Sequence, residues 1–493
     1  MAAGQRTPDS SSQPANGHTA AAYPAAGYPA TIRLLAEQAF SRTAGAPLLA
    51  GNRVTLLQDA TENYPAWLTA IASARHHIHF ENYIIANDAV GREFIASLCE
   101  RAQAGISVRL LYDWMGCFGK SAKSLWQPLL AAGGEVRCFN PPQLINPFGW
   151  GIRDHRKSLT VDGRIGFVSG LCVAASWRGD PERQIAPWRD TGVSIEGPAL
   201  ADIVQAFAQA WAACGAELPA DELQIEELAE GLGNIHLRVI ATTPNTSGLY
   251  RLDQLIAAMA RKRLWLTDPY YLGTPSYMHA LCAAAADGVD VRLLVPSSTD
   301  IPMLSPLSRA GYRPLLEAGA RVFEWNGPMI HAKTAVADGR WARVGSSNLN
   351  IASWMSNYEL DVAVEDQAFA RRMEAVYEAD LEQSTEIVLS QQRVLLRRGR
   401  KAQRHLPPNR RSAASRRTAT ALRLSNAMAL AMRQQRLLGP AEARLTLFVG
   451  LLLFAFSVVT LCVPRLVALP MAAFSLWLAV SFLLRSRNMR RRQ

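Results

Sequence analysis

Two pairs of segments in the chain repeat the same order of polar and hydrophobic positions. AQAGISVRLLYD (Ala102–Asp113) and AADGVDVRLLVP (Ala285–Pro296) each pass from a polar, glycine-containing turn into an apolar run of strand length. LLAAGGEVRCFN (Leu129–Asn140) matches LLEAGARVFEWN (Leu315–Asn326) at an offset of 186 residues. The pattern predicts that the chain contains an internal repeat.

A helix-like segment leads into a strand-like run in each copy of the repeat. These segments are WLTAIASARHHIHFENYII (Trp67–Ile85) and LDQLIAAMARKRLWLTDPYY (Leu252–Tyr271). Strands that alternate with amphipathic helices are typical of a layered α/β fold. We therefore predict two similar α/β/α units, residues 33–216 and 217–392, related by a pseudo-twofold axis on which both halves build one site.

The two ends of the chain differ from this body. Residues 1–32 are rich in Ala, Ser, Pro and Gly and predict a disordered leader without the apolar core of a signal peptide. Leu445–Val463 and Leu466–Leu484 are uncharged and close to the ~20 residues that span a bilayer. We expect residues 444–493 to form a transmembrane hairpin with a basic tail. A buried helical hairpin in a soluble domain is the alternative.

Charge separates the tail from the body. From Arg393 onward the chain has 20 Lys and Arg and one acidic residue, whereas residues 1–392 have 32 basic and 40 acidic residues. By the positive-inside rule, the flanking arginines place the body on the cytoplasmic side of the cytoplasmic membrane. Residues 393–443 predict a basic juxtamembrane segment, in which Thr418–Leu438 is either an amphipathic helix on anionic lipid or a linker.

The seven cysteines are scattered and include no C-x-x-C pair, which indicates a reduced compartment and no zinc site. Three histidines lie in one strand-like run, RHHIHFENY, but the matching run RKRLWLTDPY has none. We interpret this cluster as structural rather than metal-binding. The cluster consists of His76, His77 and His79.

The most polar stretches of the repeat share the pattern H-x-K-x4-D. They are DHRKSLTVDGRIGFVSG (Asp154–Gly170) and IHAKTAVADGRWARVGSSNLN (Ile330–Asn350). Residues two apart on a strand face the same side, so each His and Lys should point together. The candidate catalytic residues are His155, Lys157 and Asp162 in the first copy and His331, Lys333 and Asp338 in the second.

Two imidazoles and two ammonium groups suit one phosphodiester better than a metal ion, which prefers several oxygen ligands or convergent His and Cys ligands. We expect both lysines, Ser346 and Asn348 to hold the phosphoryl oxygens. One histidine would attack phosphorus and the other would protonate the leaving oxygen. Each histidine needs a carboxylate on its other nitrogen, and the candidates are Asp190 and Glu359, which follow their histidines by 35 and 28 residues.

The doubled motif H-x-K-x4-D-x6-G-S-x-N resembles the signature of the phospholipase D superfamily, and the surrounding sequence is similar to bacterial cardiolipin synthases from Gly51 to Leu389. The resemblance implies a covalent phosphatidyl-histidine intermediate and no metal or organic cofactor. It implies that His155 is the nucleophile and His331 the general acid and base. For Asp162 and Asp338 it implies structural or supporting roles.

The first motif departs from this pattern after its strand. The chain has Ser169-Gly170-Leu171-Cys172, so Cys172 occupies the place of the asparagine whose amide would bind phosphate. The loss of one hydrogen bond to a charged group costs ~1.5–3 kcal/mol. We therefore expect weaker phosphate binding or an altered acceptor rather than an inactive enzyme.

The resemblance implies a membrane-bound phosphatidyl transferase that makes cardiolipin from phosphatidylglycerol and a second phospholipid, either phosphatidylglycerol or phosphatidylethanolamine. The alternatives are a phospholipase D that releases phosphatidic acid, a nucleic-acid phosphodiesterase, and a non-catalytic membrane scaffold. The acidic body argues against nucleic acid as a partner, because nucleic-acid binding needs a basic working face.

Overall fold

The strands of the body form one large sheet in which the order of the first half recurs in the second. A computed structural model describes residues 30–142, 151–182, 184–225, 232–301, 304–389 and 394–397, and positions 451, 454–463, 465, 468–477 and 479–480. The first half contributes strands β1 Leu49–Gln58, β2 His77–Asn82, β3 Ser107–Asp113, β4 Glu135–Phe139, β5 Lys157–Val161, β6 Ile165–Ser169 and β7 Thr191–Glu196.

Among the described residues, the second half and the segment after it supply nine strands. They are β8 Ile235–Thr242, β9 Arg263–Thr267, β10 Asp290–Pro296, β11 Arg321–Trp325, β12 Thr334–Ala337, β13 Trp341–Gly345, β14 Glu359–Val364, β15 Ser384–Leu389 and β16 Val394–Arg397. The helices are α1 Ala30–Ala44, α2 Asp59–Ala72, α3 Ala89–Gln103, α4 Trp114–Cys117, α5 Lys123–Ala131, α6 Ala175–Arg178, α7 Leu200–Ala212, α8 Gly248–Met259, α9 Pro275–Ala286, α10 Leu304–Ala310, α11 Tyr312–Glu317, α12 Ile351–Met355 and α13 Gln367–Glu382, with a 3-10 turn at Ala220–Leu223.

Strand order makes the internal repeat visible. From the middle outward, the first half reads β1-β7-β6-β5-β2-β3-β4 and the second β8-β14-β13-β12-β9-β10-β11, followed by β15 and β16. The central strands β1 and β8 pair antiparallel. An antiparallel pair between equivalent strands is the arrangement that a twofold axis through the sheet produces. In each half three outer strands run parallel, as β2-β3-β4 and β9-β10-β11.

Helices cover both faces of the sheet, as the alternation of side chains requires. In β6, Phe167 packs into the cluster under α2 and α3, while its neighbour Val168 packs on the opposite face with α7. In β12, Ala335 and Val336 divide in the same way between the cluster under α8 and α9 and the one under α13. The predicted α/β class and the predicted helix–strand pairs are confirmed.

The halves share one apolar cluster on the α7 and α13 face. It joins residues of β1 and β7 to residues of β8, β13 and β14, so a continuous core crosses the junction. The chain from Phe40 onward clusters as one unit that contains both copies of the repeat. The predicted boundary at 216/217 falls between α7 and β8, beside residues 226–231, which lie outside the described residues.

Several sequence predictions concern parts of the chain that the structure describes little or not at all. Most of the leader, 1–29, and most of the basic segment, 398–443, lie outside the described residues. So do 444–450 and 481–493 of the predicted hairpin. Within the described positions, no helix is both long enough and apolar enough to cross a membrane.

The two motif aspartates hold equivalent turns at the ends of β5 and β12. Asp162 accepts hydrogen bonds from the backbone N–H groups of Arg75, His76 and His77, at 2.8, 2.8 and 2.9 Å. Asp338 accepts from the N–H groups of Arg261, Lys262 and Arg263, at 2.7–3.3 Å. Each thereby ties the end of a helix, α2 or α8, to the start of the next strand.

We expect Asp162→Ala to lower the free energy of unfolding by about 3 kcal/mol, because three N–H groups lose a charged acceptor. Asp162 also has a φ of 53°, a conformation that Asn tolerates better than Ala. The matched variant Asp162→Asn should therefore lose about half as much. Chemical denaturation of both variants measures the difference, and equal stability of Asp162→Ala and the parent would contradict this role.

Candidate active site

The motif histidines are carried by extended segments that cross from one half of the sheet to the other. The N–H of His155 donates to the carbonyl of Tyr358 at 2.9 Å, and the N–H of His331 donates to the carbonyl of Arg189 at 2.7 Å. Tyr358 immediately precedes Glu359, and Arg189 immediately precedes Asp190. The backbone pairing therefore places each histidine beside a carboxylate of the opposite half.

The imidazole of each half forms a hydrogen bond with a carboxylate of the opposite half. Nδ1 of His155 lies 2.9 Å from Oε2 of Glu359, and Nδ1 of His331 lies 2.8 Å from Oδ2 of Asp190. All four residues are buried. The sequence had associated each carboxylate with the histidine of its own half; the structure selects the same residues but pairs them crosswise.

Each carboxylate also accepts a hydrogen bond, on the oxygen nearest its histidine, from a side chain that differs between the halves. Ser346 Oγ donates to Oε2 of Glu359 at 2.6 Å and accepts the N–H of Leu360 at 2.9 Å. The indole Nε1 of Trp177 donates to Oδ2 of Asp190 at 2.8 Å. Ser346, expected to bind phosphate, has its single donor hydrogen committed to Glu359 in this structure.

Packing explains why the first half lacks a counterpart of Ser346. Gly170 occupies the matching position, and a Cβ built there would lie 2.2 Å from Oδ1 of Asp190. Because aspartate is one methylene shorter than glutamate, its carboxylate sits closer to its own strand. The carboxylate that bonds His331 is therefore Asp190, packed against Gly170 and bonded to Trp177. The carboxylate that bonds His155 is Glu359, which is bonded to Ser346.

Both motif lysines are buried at the same site. Lys157 Nζ donates to the carbonyl of His155 and lies 5.1 Å from the centre of the Tyr83 ring. Lys333 Nζ donates to the carbonyl of His331 and lies 2.8 Å from its Nδ1 and 3.1 Å from its Nε2. The charge of Lys333 also acts on His155 and that of Lys157 on His331, which places the four groups together.

Burial and neighbouring charges set the protonation of the two pairs. Burial lowers the pKa of His155 from its ordinary value, although Glu359 opposes this. Burial alone would raise the pKa of Glu359, but His155 and Lys157 hold it below its ordinary value. A neutral imidazole beside an ionised carboxylate follows. Nδ1–H then donates to the carboxylate, and Nε2 keeps its lone pair.

His331 and Lys333 titrate together. Burial and the adjacent ammonium group lower the pKa of His331 to about 4, and burial lowers the pKa of Lys333 to about 8. Two groups this close share their macroscopic titration steps. Between these two values the pair carries one proton, located on Lys333 and within 3.1 Å of Nε2 of His331.

The positions that follow each motif strand differ in chemistry. Asn348 is buried, and its amide oxygen has no hydrogen-bond partner among the described residues. Cys172 occupies the matching position in the first half and is buried as well. Burial raises the pKa of its thiol, while Lys157 and Lys333 act in the opposite direction. The two sides of the site therefore present an amide and a neutral thiol.

Asp162 and Asp338 lie away from these groups. Seven residues of extended chain separate Asp162 from His155, which corresponds to about 20 Å along the strand. The described residues contain no group of three or more His, Cys, Asp and Glu arranged to hold a metal ion. His77 and His79 instead stack at 4.9 Å, and His79 Nε2 lies 3.1 Å from Glu222.

Several residues that support the site were not singled out in the sequence. Asp268 accepts the N–H groups of Tyr270 and Leu349 at 2.9 and 2.7 Å, and its charge acts on Lys333. The ring of Trp188 lies 5.8 Å from that of His331. In the sequence, these residues are marked by an acid after a strand-like run in LTDPYY and by the tryptophan that begins WRDTGV.

Comparisons with known proteins agree with this geometry. Residues 67–177 and 253–381 match the family model described as cardiolipin synthase, phospholipase D-like domain. The chain is 33% identical over 365 residues to cardiolipin synthase A of Pseudomonas aeruginosa, which covers 73% of each chain. It is 32% identical over 350 residues to a cardiolipin synthase of Alkalihalophilus pseudofirmus, which covers 70% of this chain and 69% of that one.

Among solved structures, phosphatidylserine synthase of Haemophilus influenzae is similar with a TM-score of 0.55 and 14% identity, covering 80% of this chain and 98% of that chain. At this identity the likeness concerns the fold. The doubled sheet and its paired motifs thus define a phospholipase D-like protein. Within that class, the chain belongs to the cardiolipin synthase family.

We expect kcat/KM for phospholipid turnover to fall above about pH 8, because the shared proton leaves the His331–Lys333 pair there. Asp190→Asn removes the negative charge that raises the pKa of both groups, so this limb should move to lower pH. kcat should fall on the order of 100-fold. Glu359→Gln is the matched control, since Glu359 orients His155 instead. A basic limb that stays in place in Asp190→Asn would refute the coupling.

Proposed function

We propose that this protein is a phosphatidyl transferase that makes cardiolipin by a two-step mechanism through a phosphatidyl-histidine. The observation that carries the proposal is the pair of crossed imidazole–carboxylate hydrogen bonds, with two lysines beside them, in one buried site. Such a site offers one nucleophile, one proton donor and two positive charges for a phosphodiester. Membership of the cardiolipin synthase family supports the same reaction.

In the first step, Nε2 of His155 attacks the phosphorus of a phosphatidyl donor. An N–P bond forms, the P–O bond to the headgroup alcohol breaks, and the departing oxygen takes a proton from His331. Glu359 stabilises the positive charge that develops on His155 through its hydrogen bond to Nδ1. Lys157 and Lys333 balance the charge that accumulates on the phosphoryl oxygens.

In the second step, His331 removes the proton from a glycerol hydroxyl of an acceptor phosphatidylglycerol. The resulting oxygen attacks phosphorus, the N–P bond breaks, and His155 returns to its neutral form. The phosphatidyl group thus passes from the donor to the acceptor, and the reaction consumes no net protons. When the donor is also phosphatidylglycerol, glycerol is the co-product.

The different surroundings of the two histidines support this division of roles. His331 has Lys333 within 3.1 Å of its Nε2, and the pair holds one proton at neutral pH. Binding of a phosphodiester anion beside the pair favours transfer of this proton to His331, which then serves as the acid. Nε2 of His155 carries a lone pair and serves as the nucleophile.

The remaining predicted site residues fit supporting roles. Asn348 offers the N–H groups of its amide to a phosphoryl oxygen, since its side chain is buried directly after the second motif strand. Ser346 acts through Glu359, to which its hydroxyl donates. Asp162 and Asp338 act through the turns that they hold.

The substrates of this reaction are lipids, and the tail provides a means of holding the body at the bilayer. Two uncharged 19-residue stretches and the arginines around them support a membrane hairpin with the body on the cytoplasmic side. A basic segment attracts anionic lipid by about 1 kcal/mol per Lys or Arg near the surface. Phosphatidylglycerol, which is anionic, would thereby be concentrated beside the site.

Incubation of the full-length protein with phosphatidylglycerol vesicles, with and without phosphatidylethanolamine, tests the reaction. We expect cardiolipin and glycerol by mass spectrometry, and ethanolamine if phosphatidylethanolamine also serves as donor. Both products should disappear with His155→Ala. Phosphatidic acid as the sole lipid product would overturn transfer in favour of hydrolysis, and no turnover by the parent protein would overturn the enzymatic proposal.

The separate roles of the histidines can be resolved with phosphatidyl-4-nitrophenol, whose leaving group needs no proton. His331→Ala should release about one equivalent of nitrophenolate per enzyme in a burst and then stall, because the second step lacks its base. The trapped N–P bond should be stable in alkali and labile in acid. His155→Ala should give no burst, and a burst from it would reject His155 as the nucleophile.

A further inference from the structure

A cavity of about 260 Å³ is lined by Trp177 and Trp188, whose rings also pack against His331. Its aromatic and apolar wall includes Trp177, Trp188 and Ile84, and its polar side includes Lys120, Asn87 and Ser176. The two indole rings pack against each other with centres 4.6 Å apart. We call this space the headgroup cavity.

The indole rings connect the headgroup cavity to the catalytic pair. The ring centres of Trp177 and Trp188 lie 5.1 and 5.8 Å from that of His331. Trp177 also donates its indole N–H to Asp190, the carboxylate that orients His331. The wall of the cavity is therefore in direct contact with the proposed acid and base.

Lys120 is the basic residue of this cavity, and its charge reaches the phosphate side of the site. It acts on the thiol of Cys172, which also experiences the charges of Lys157 and Lys333. Among the described residues, no hydrogen bond or ion pair engages the ammonium group of Lys120. The acidic residue of the lining, Asp88, instead has its carboxylate oxygens occupied by the N–H groups of Gly91 and Ala175.

The position of the cavity follows from the geometry of the proposed reaction. Nucleophilic attack by His155 from one side of phosphorus expels the leaving oxygen on the opposite side, where His331 protonates it. The acceptor hydroxyl must enter from that same side to displace His155 in turn. Both the leaving alcohol and the acceptor therefore occupy space on the His331 side of phosphorus, and the headgroup cavity lies on this side, behind the rings of Trp177 and Trp188 that contact His331.

The two alcohols differ in charge. When phosphatidylglycerol is the donor, the departing glycerol is neutral. The acceptor presents a glycerol hydroxyl that is still attached to its own phosphodiester, which carries one negative charge. A cavity whose ammonium group is unpaired among the described residues, and whose one carboxylate is already bonded to two backbone N–H groups, is suited to a glycerol phosphodiester.

We infer that the headgroup cavity binds the acceptor lipid and that Lys120 pairs with its phosphodiester, an inference that rests on the proposed transfer reaction. Lys120 is thus a specificity-determining residue for the second step. It favours an anionic phospholipid over water and over neutral alcohols at the phosphatidyl-histidine stage. The first step does not depend on it.

The test compares Lys120→Met with Lys120→Arg in the full-length protein on phosphatidylglycerol vesicles, with glycerol, cardiolipin and phosphatidic acid measured together. Lys120 is exposed, so the substitution leaves the core intact. We expect Lys120→Met to lower the cardiolipin formed per glycerol released by roughly three- to tenfold, with a matching rise in phosphatidic acid. Lys120→Arg should retain most of the transfer.

Exchange of labelled glycerol into phosphatidylglycerol should be unchanged in Lys120→Met, because a neutral acceptor needs no counter-charge. Lys123→Met is the matched control, since Lys123 is also exposed but does not line the cavity. An unchanged ratio of cardiolipin to phosphatidic acid in Lys120→Met would overturn the inference. An equal fall in glycerol exchange and cardiolipin would also overturn it, because Lys120 would then act on both steps.

These outcomes are distinct from failure of the proposed function. If the parent protein makes no cardiolipin, the transfer proposal falls and the inference falls with it. If the parent makes cardiolipin and Lys120→Met does so equally well, only the assignment of Lys120 is lost. The melting temperatures of all three variants should equal that of the parent, which verifies that each assay compares folded protein.

Discussion

The hydrogen bonds from His155 to Glu359 and from His331 to Asp190 connect the two halves of the protein at its centre. Each brings a buried carboxylate of one half against a buried imidazole of the other. Removing one imidazole takes a hydrogen bond from a buried, charged carboxylate, at a cost of about 1.5–3 kcal/mol. The halves therefore cannot separate without destabilising both pairs. The same contacts that join the sheet also build the site.

The repeat supplies a symmetric frame, and local substitutions make its chemistry asymmetric. Glutamate with Ser346 on one side and aspartate with Gly170 on the other solve the same packing problem with different side-chain lengths. Lys333 contacts the ring of its neighbouring histidine, whereas Lys157 lies above the ring of Tyr83. In the two-step transfer that we propose, these differences let one duplicated motif supply both a nucleophile and a proton carrier.

The spacing H-x-K-x4-D, which occurs twice in this chain, has two separate physical origins. The histidine and lysine lie at one end of β5 or β12 and point into the site. The aspartate lies at the other end, where it fixes the turn that starts the neighbouring strand. A motif that appears continuous in sequence thus combines a chemical function and a structural one, about 20 Å apart along the strand.

The sequence alone was sufficient for the α/β class, the repeat and several of the strands, and it predicted the histidines, lysines and carboxylates that the structure brings together. Hydrophobic periodicity and the similarity between the repeated segments can be recognised in a single sequence, because both are properties of short stretches of the chain. The crosswise pairing of Asp190 with His331 was not accessible in this way. It depends on strands of different halves meeting across the junction, and residue spacing carries no information about that contact.

The same limit applies to Ser346, Trp177 and Lys120. The motif position of Ser346 predicts a phosphate ligand, and the pairing of β13 with β14 brings its hydroxyl to Glu359. Trp177 and Lys120 come from loops and short helices with no distinctive pattern, and only the folding of those segments around His331 brings them to one cavity. Composition and spacing determined which chemical groups the chain possesses; tertiary contacts between distant strands and loops decided which of them act together.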